Sequence, residues 1–255
     1  MIITDTHAHL YSEAFDDDRD AMVQRALDAG VKRFFIPAID STYTRAMLDL
    51  EASYLENVFL MMGLHPTHVN ENYKQELAHV EEWLSKRKFY AVGEIGIDLY
   101  WDKTFLKQQQ EAFVYQIRLA KKYKLPIVIH SRDSFDEIFE ILEQENGKDL
   151  FGIFHCFTGT KEQAKRAISY NMKLGIGGVV TFKNGKIDQF LGNIDLEHVV
   201  LETDSPYLAP VPYRGKRNES SYIIKVLEKL SHIYGRPVEE IAAITTENSK
   251  HVFGI

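Results

Sequence analysis

Two histidines near the start of the chain, His7 and His9, are separated by a single residue. Side chains alternate between the two faces of a strand, so residues i and i+2 can bind one cation together. Asp5 shares the predicted face. A lone histidine in such a place is often satisfied by hydrogen bonds, but two histidines on one face favour metal binding. The pair therefore predicts a metal-binding segment at the end of the first strand.

More side chains of the same kind follow later in the sequence, each at the end of a short apolar run: Glu94, His130, His155 and Asp204. A carboxylate or an imidazole in an apolar setting is costly unless it has a partner or a use. Repetition of this placement across the chain favours a metal site over core packing. Imidazole and carboxylate without thiolate suit Zn, Mn, Fe or Co, and Mg if more water stays bound.

Together with the first pair, these residues make six candidate ligands, which is more than one open tetrahedral ion requires. We therefore expect two divalent cations (Mg, Mn or Zn) that share a bridging carboxylate. Two neighbouring cations lower the pKa of bound water and neutralise charge on a substrate. The constellation predicts an enzyme with a metal site.

Strand-like and helix-like segments alternate along the chain. The helical patterns include Lys107–Lys122 and Ser221–Tyr234, which carry apolar residues at helical spacing. The predicted strands are Ile2–His7, Val31–Pro37, Val58–Gly63, Tyr90–Glu94, Pro126–His130, Phe151–His155, Met172–Gly177 and Val199–Thr203. Strands that alternate with crossover helices indicate a parallel sheet.

Eight such units predict an α/β fold, a single (β/α)8 TIM-like barrel whose active site lies at the carboxyl ends of the strands. A doubly wound open sheet is the competing fold, but no glycine-rich phosphate loop follows the first strand. Residues 237–254 predict an extra C-terminal helix. No linker or repeat divides the sequence, so residues 1–255 are expected to form one domain.

The composition is typical of a globular protein, with 45% apolar and 26% charged residues. One cysteine excludes an internal disulfide and suits a reducing compartment. No signal peptide or membrane span is evident, so a cytoplasmic location and no membrane partner are expected. The net charge of −7 argues against a broadly basic surface that coats nucleic acid. It does not exclude a nuclease, because basic residues and bound cations can make a cleft locally positive. Protein partners are not predicted.

Two further features bear on substrate binding. His65 follows the third predicted strand and could contact substrate, although a loop histidine without a role is an equal alternative. A run of cations follows the eighth strand and contains Arg214 and Lys216. A solvated loop is the simpler interpretation of that run, but barrels often bind phosphate at this position. Glu202, which shares a strand face with Asp204, could orient a ligand.

The sequence resembles the TatD-like deoxyribonucleases, a branch of the metal-dependent amidohydrolase superfamily. The resemblance covers essentially the whole chain, and several short segments carry it. The matching segments are Asp5–His9, Gly63–Pro66, Gly93–Asp98, Ile129–Arg132, His155–Gly159, Glu202–Leu208 and Arg214–Glu219. The resemblance implies hydrolysis of phosphodiester bonds in DNA at a two-metal site. It assigns one ion to His7, His9, Glu94 and Asp204, and the second to Glu94, His130 and His155, with Glu94 bridging. The chain departs from the pattern at Ser220, usually proline, and at Leu99, usually aromatic, two positions expected at the rim.

On this basis we expect Asp204 and Glu94 to act in catalysis, Asp204 by orienting or deprotonating the water. His65 and Arg214, with Lys216, would hold the phosphate. A 3′-to-5′ exonuclease on single-stranded ends is the preferred prediction, with DNA as substrate and RNA or tRNA as alternatives. Other hypotheses remain open at this stage: an ester hydrolase such as a D-aminoacyl-tRNA deacylase, or a nucleic-acid-binding protein without turnover.

Overall fold

A computed structural model describes all residues, 1–255. Its eight strands are β1 (Ile3–Asp5), β2 (Val31–Ile36), β3 (Val58–Leu60), β4 (Val92–Asp98), β5 (Ile127–Arg132), β6 (Gly152–Phe154), β7 (Met172–Ile176) and β8 (Val199–Leu201). Its eight helices are α1 (Arg19–Asp28), α2 (Thr44–Ser53), α3 (Tyr73–Lys86), α4 (Leu106–Tyr123), α5 (Phe135–Gln144), α6 (Lys161–Ser169), α7 (Ile223–Tyr234) and α8 (Val238–Phe253). No helix is both long and apolar enough to cross a membrane.

All strand pairs are parallel, in the orders β1-β2-β3 and β4-β5-β6-β7-β8. Backbone hydrogen bonds join the two sheets at both seams. Gly93 N–H donates to Met62 O over 3.0 Å, and Thr6 N–H donates to Leu201 O over 2.9 Å. The predicted (β/α)8 barrel with an extra C-terminal helix is confirmed, and α8 is that helix.

The predicted helices agree with α4, α7 and α8 to within two residues, and one 3-10 turn, Ser220–Tyr222, precedes α7. The seventh connection differs from the regular pattern, because four 3-10 turns replace an α-helix between β7 and β8. Its sequence explains the difference: residues 177–198 contain four glycines and the β-branched run Val179-Val180-Thr181, both of which disfavour a continuous helix.

The core has two parts because side chains alternate along each strand. On β2, Phe34 and Ile36 pack outward in a large cluster with the helices, whereas Phe35 points into the barrel. The inner group, here called the apolar layer, consists of Phe35, Met61, Ala91, Val128, Ile153, Val200, Val252 and Phe253. Its last two members belong to α8, so the C-terminal helix closes the amino end of the barrel. The Phe35 and Phe253 rings stack with centroids 3.6 Å apart.

Candidate metal centre

The strand period places two histidines directly above the apolar layer. Val128 and Ile153 belong to that layer, and His130 and His155 follow each of them by two residues. Both imidazoles therefore point into the barrel at the carboxyl ends of β5 and β6. His130 lies within β5, whereas His155 comes one residue after β6.

The first pair of histidines lies beyond its strand. The prediction placed His7 on β1, but that strand ends at Asp5. The following segment runs beside residues 203–205: His7 O accepts a hydrogen bond from Asp204 N–H over 2.9 Å, and His9 N–H donates to Ser205 O over 2.8 Å. Barrel closure thus brings both histidines beside Asp204, from the opposite end of the sequence.

Glu94 was predicted at the end of a strand, and this placement is wrong. It is the third residue of β4, which continues to Asp98. The pairing with β5 shifts register between Gly93 and Ile95, so Glu94 occupies an irregular point in the strand. Such a bulge redirects one side chain while the strand continues. The Glu94 carboxylate is only 2% exposed and lies at the centre of the site.

One carboxylate oxygen of Glu94 faces the amino-terminal histidines. Glu94 Oε2 lies 2.9 Å from His7 Nε2 and 3.7 Å from His9 Nε2. Asp204 Oδ1 lies 3.5 Å from His9 Nε2 and 3.9 Å from His7 Nε2. These four side chains therefore form one compact group.

The other oxygen faces a different set of rings. Glu94 Oε1 lies 2.7 Å from His130 Nδ1, 3.2 Å from His155 Nε2 and 3.2 Å from His65 Nε2. Five imidazoles consequently surround a single carboxylate, and they are here called the histidine cluster: His7, His9, His65, His130 and His155. His7 and His155 stack at the meeting point of the two groups, with centroids 3.7 Å apart.

His65 comes closer to the centre than a rim residue would. Its Nδ1 accepts a hydrogen bond from the backbone N–H of Thr67 over 3.1 Å, which leaves the proton of the neutral ring on Nε2. That Nε2–H is the group that faces Glu94. Burial, the largest influence, lowers the pKa of His65 to about 4, against the opposing charge of Glu94. His65 is therefore a neutral hydrogen-bond donor directed into the site.

Neighbouring groups orient the other imidazoles. Tyr11 donates its hydroxyl proton to Pro37 O over 2.9 Å, so the hydroxyl oxygen accepts from His9 Nδ1–H over 3.0 Å. Nε2 of His9 faces Glu94 and Asp204. This arrangement resembles the outer groups that fix the tautomer of a metal-binding histidine.

His130 and His155 each have a carboxylate behind them. Asp98 Oδ2 lies 2.8 Å from His130 Nε2, and Glu202 Oε1 lies 3.2 Å from His155 Nδ1. Glu202 also accepts the Cys156 N–H over 2.7 Å. Room for Glu202 depends on Gly175 of β7, where a Cβ atom would lie 2.2 Å from Glu202 Oε2.

The charges within the cluster oppose the effect of burial on the pKa values of its members. Burial would raise the pKa of Glu94, but the charges of His155, His65 and His7 and the hydrogen bond to His130 hold it well below its ordinary range. Burial likewise acts to lower the pKa of His155, yet Glu94 and Glu202 raise it well above the usual value. Asp204 has a lowered pKa because its hydrogen bond to His9 and the nearby histidines outweigh burial. Both carboxylates are thus held ionised.

The donor set fits divalent cations. Ring nitrogens and carboxylate oxygens lie within 4.8 Å of one another in three overlapping groups, two of which contain Glu94. The buried atoms His7 Nδ1, His155 Nδ1 and Glu202 Oε2 have no aligned hydrogen-bond partner, so the site leaves polar atoms unsatisfied. Imidazole and carboxylate without thiolate match Zn or Mn, and Mg with more water.

The two predicted phosphate-binding cations lie on the loop that follows β8. Arg214 and Lys216 are exposed, and neither forms an ion pair. The Arg214 guanidinium stacks 3.9 Å from the centroid of the Phe182 ring. The third cation of this run, Arg217, binds Asp18 with its two terminal guanidinium nitrogens and anchors the loop to the start of α1. The role of Arg214 and Lys216 remains a prediction.

Sequence reasoning gave no role to Asp98 or Tyr11, and it misplaced Ser220 and Leu99. Asp98 lies four residues after Glu94, and this even spacing along a strand was the available signal. Ser220 is fully buried and Leu99 is 6% exposed, so neither lies at the rim. The Ser220 hydroxyl donates to Asp5 Oδ2 over 2.6 Å. Burial is the largest influence on the Asp5 carboxyl and raises its pKa to about 7.

The fold and the site together define a barrel hydrolase that depends on metal. Residues 4–254 match the model of the family described as TatD related DNase. The uncharacterized metal-dependent hydrolase YabD of Bacillus subtilis is 40% identical, over the full length of both chains. The uncharacterized metal-dependent hydrolase YcfH of Escherichia coli is 32% identical, over 100% of this chain and 97% of the relative.

A solved structure agrees with these relatives. The TatD homolog YjjV from Escherichia coli superposes with a TM-score of 0.93 at 30% identity, and the match covers 99% of this chain and 98% of that one. The chain therefore belongs to the TatD-related DNase family of metal-dependent hydrolases.

Proposed function

We propose that this chain hydrolyses phosphodiester bonds in DNA by means of two divalent cations. One observation carries the proposal: the two oxygens of Glu94 face different ligand groups. The Oε2 group is His7, His9 and Asp204, and the Oε1 group is His130 and His155. A carboxylate that faces two groups in this way suits a bridging ligand.

When bound, such a pair of cations supplies a more acidic water and neutralises charge on the phosphoryl oxygens. The residues of the chain do the remaining work. Asp204 is ionised and only 13% exposed, so it can accept a proton from the attacking water. The water oxygen forms a bond to phosphorus as the bond to the leaving oxygen breaks, and the leaving oxygen takes up a proton from solvent. We expect the Nε2–H of His65, which lies 3.2 Å from Glu94 Oε1, to donate to a phosphoryl oxygen of the bound substrate.

The depth of the site favours a single strand as substrate. Glu94 and His155 are 2% and 5% exposed, so a phosphate must enter a recess to reach them. Stacked base pairs hold the phosphates of a duplex apart from such a recess, whereas a frayed or single-stranded end can enter. We propose 3′-to-5′ exonuclease action on single-stranded ends, with RNA or tRNA as alternative substrates.

A substrate panel tests the proposal. Single-stranded DNA, duplex DNA, RNA and D-aminoacyl-tRNA are incubated with the protein loaded with Mg²⁺, Mn²⁺ or Zn²⁺, and the DNA is labelled at either the 5′ or the 3′ end. A ladder of 5′-labelled fragments that shortens stepwise, together with early release of 3′-labelled mononucleotide, is the expected result. Faster release of the amino acid from D-aminoacyl-tRNA would replace the proposal by deacylation, and no turnover with any metal would indicate a binding protein.

A further inference from the structure

A cavity of about 800 Å³ opens beside the histidine cluster, at the same end of the barrel. Arg132, two residues after His130, lines it, as does Thr158, three residues after His155. The residues that follow these two histidines in the sequence therefore form part of the cavity wall. The chemistry described above uses none of these lining residues.

Two exposed aromatic side chains lie at this cavity, one in its lining and the other next to it in the sequence. Tyr100 lines it and is 53% exposed, and the neighbouring Trp101 is 72% exposed. Their rings are perpendicular, with centroids 4.8 Å apart. The Arg132 guanidinium lies 3.7 Å from the Tyr100 centroid and 5.3 Å from that of Trp101. These three side chains, here called the aromatic platform, expose two aromatic rings at right angles to each other and include a guanidinium without a carboxylate partner.

Asp98 joins the aromatic platform to the histidine cluster. Its Oδ1 accepts the backbone N–H of Tyr100 over 3.0 Å, and its Oδ2 lies 2.8 Å from His130 Nε2. A single buried carboxylate therefore fixes the start of the aromatic pair relative to a ring of the site. A ligand on the platform would have a defined position with respect to Glu94.

The charged side chains of the cavity lining indicate the chemical class of such a ligand. The cavity lining contains equal numbers of basic and acidic side chains: Arg132, Lys161, Lys186, Asp133, Asp136 and Glu137. This balance does not favour a purely electrostatic phosphate site. Flat aromatic surfaces with one free guanidinium suit planar bases joined by an occasional phosphate.

We infer that the aromatic platform binds the bases of a single-stranded nucleic acid next to the linkage held at the cluster. The inference rests on the proposed phosphodiester hydrolysis and extends it with a second binding site. Stacking tolerates every base, because each base has a π face, so binding depends little on sequence. Arg132 contributes about one phosphate contact, so salt weakens binding only modestly.

Direct binding tests the inference. The probe is a fluorescein-labelled oligothymidylate octamer with phosphorothioate linkages that resist hydrolysis, and anisotropy gives its Kd. Trp101→Ala is expected to weaken binding on the order of tenfold, and Trp101→Phe to restore most of the affinity. The matched control is Tyr115→Ala, which removes a 37% exposed aromatic ring from α4 on the outside of the barrel. Arg132→Ala is expected to reduce the slope of log Kd against log salt by about 0.7.

The outcomes separate this inference from the proposed function. Unchanged affinity in Trp101→Ala, or an equal loss in Tyr115→Ala, overturns the aromatic platform even if DNA is hydrolysed. Tryptophan-dependent binding without hydrolysis of any nucleic acid supports the platform and refutes the proposed reaction. Thermal unfolding of each variant confirms that the comparison is between folded proteins.

Discussion

The two ends of the barrel interior have opposite chemistry although the same strands build both. On β5, Val128 belongs to the apolar layer and His130 to the histidine cluster, only two residues away. On β6 the same step leads from Ile153 to His155. The amino end is closed by stacked rings of α8 and β2, whereas the carboxyl end converges on a single carboxylate.

This difference shows how the chain can hold buried charged groups, an arrangement that is unfavourable by itself. The apolar layer gains free energy by burial, about 1.5–3 kcal/mol for each large aliphatic side chain. The histidine cluster instead buries charged groups and leaves polar atoms such as His7 Nδ1 without partners. A rigid apolar layer directly below can hold such a cluster in place, because each histidine is attached to a strand that the layer fixes.

Removal of the central carboxylate should have the largest effect on the carboxyl end. We expect Glu94→Ala to lose bound metal and to reduce hydrolysis to background, because both ligand groups share this residue. Elemental analysis after metal loading, together with turnover of a DNA substrate, measures both effects. Chelation of the wild-type protein should abolish activity in the same assay. Unchanged metal content and turnover in the variant would remove the bridging role of Glu94.

A smaller loss is expected for Asp204→Asn, which retains size but loses charge and basicity. Turnover should fall by about 10²–10⁴, as is usual for loss of a general base. Circular dichroism checks that the fold is retained. Near-normal cleavage by the folded variant would mean that Asp204 has a structural role alone.

A substitution in the apolar layer should affect stability instead of chemistry. Ile153→Ala is expected to lower the free energy of unfolding by about 2–5 kcal/mol, because it opens a cavity in a fully packed layer. Chemical denaturation measures this change. Turnover per folded molecule should stay close to the wild-type value at low temperature. If metal content and turnover per folded molecule fall sharply, the two layers are not separable.

The smallest effect is expected at the outer edge of the carboxyl end. If Arg214 holds a substrate phosphate, Arg214→Ala should cost about 2 kcal/mol in kcat/KM on DNA, typical of a charge-assisted hydrogen bond. The loss should be much smaller on an uncharged ester, and Arg214→Lys should recover only part of it. Arg45→Ala, which removes an equal charge from an 85% exposed side chain on α2, is the control.

Equal losses of kcat/KM on the DNA and ester substrates would show that Arg214 supports the loop and does not bind a phosphate. Arg214→Ala removes the stacking of Arg214 on Phe182 whichever substrate is used. Damage to the loop would therefore lower kcat/KM equally on both substrates.

Local patterns in the sequence determined much of this molecule. Helical spacing predicted α4, α7 and α8, because the apolar face of a helix must be buried wherever the helix lies. The position of His130 and His155 at the ends of apolar runs likewise predicted that both would lie at the carboxyl ends of strands. These properties depend on neighbours within a few residues, so the sequence alone can indicate them.

Only the tertiary structure decided which atoms meet. The register shift in β4 moves Glu94 to the centre, and a loop after β3 brings His65 Nε2 within 3.2 Å of it. Burial of Ser220 against Asp5 joins residues 215 positions apart. Such contacts follow from closure of the barrel between β8 and β1 and from the packing of loops over its carboxyl end. The sequence determines the periodicity of each strand, but distances between side chains from remote segments exist only once those segments pack together.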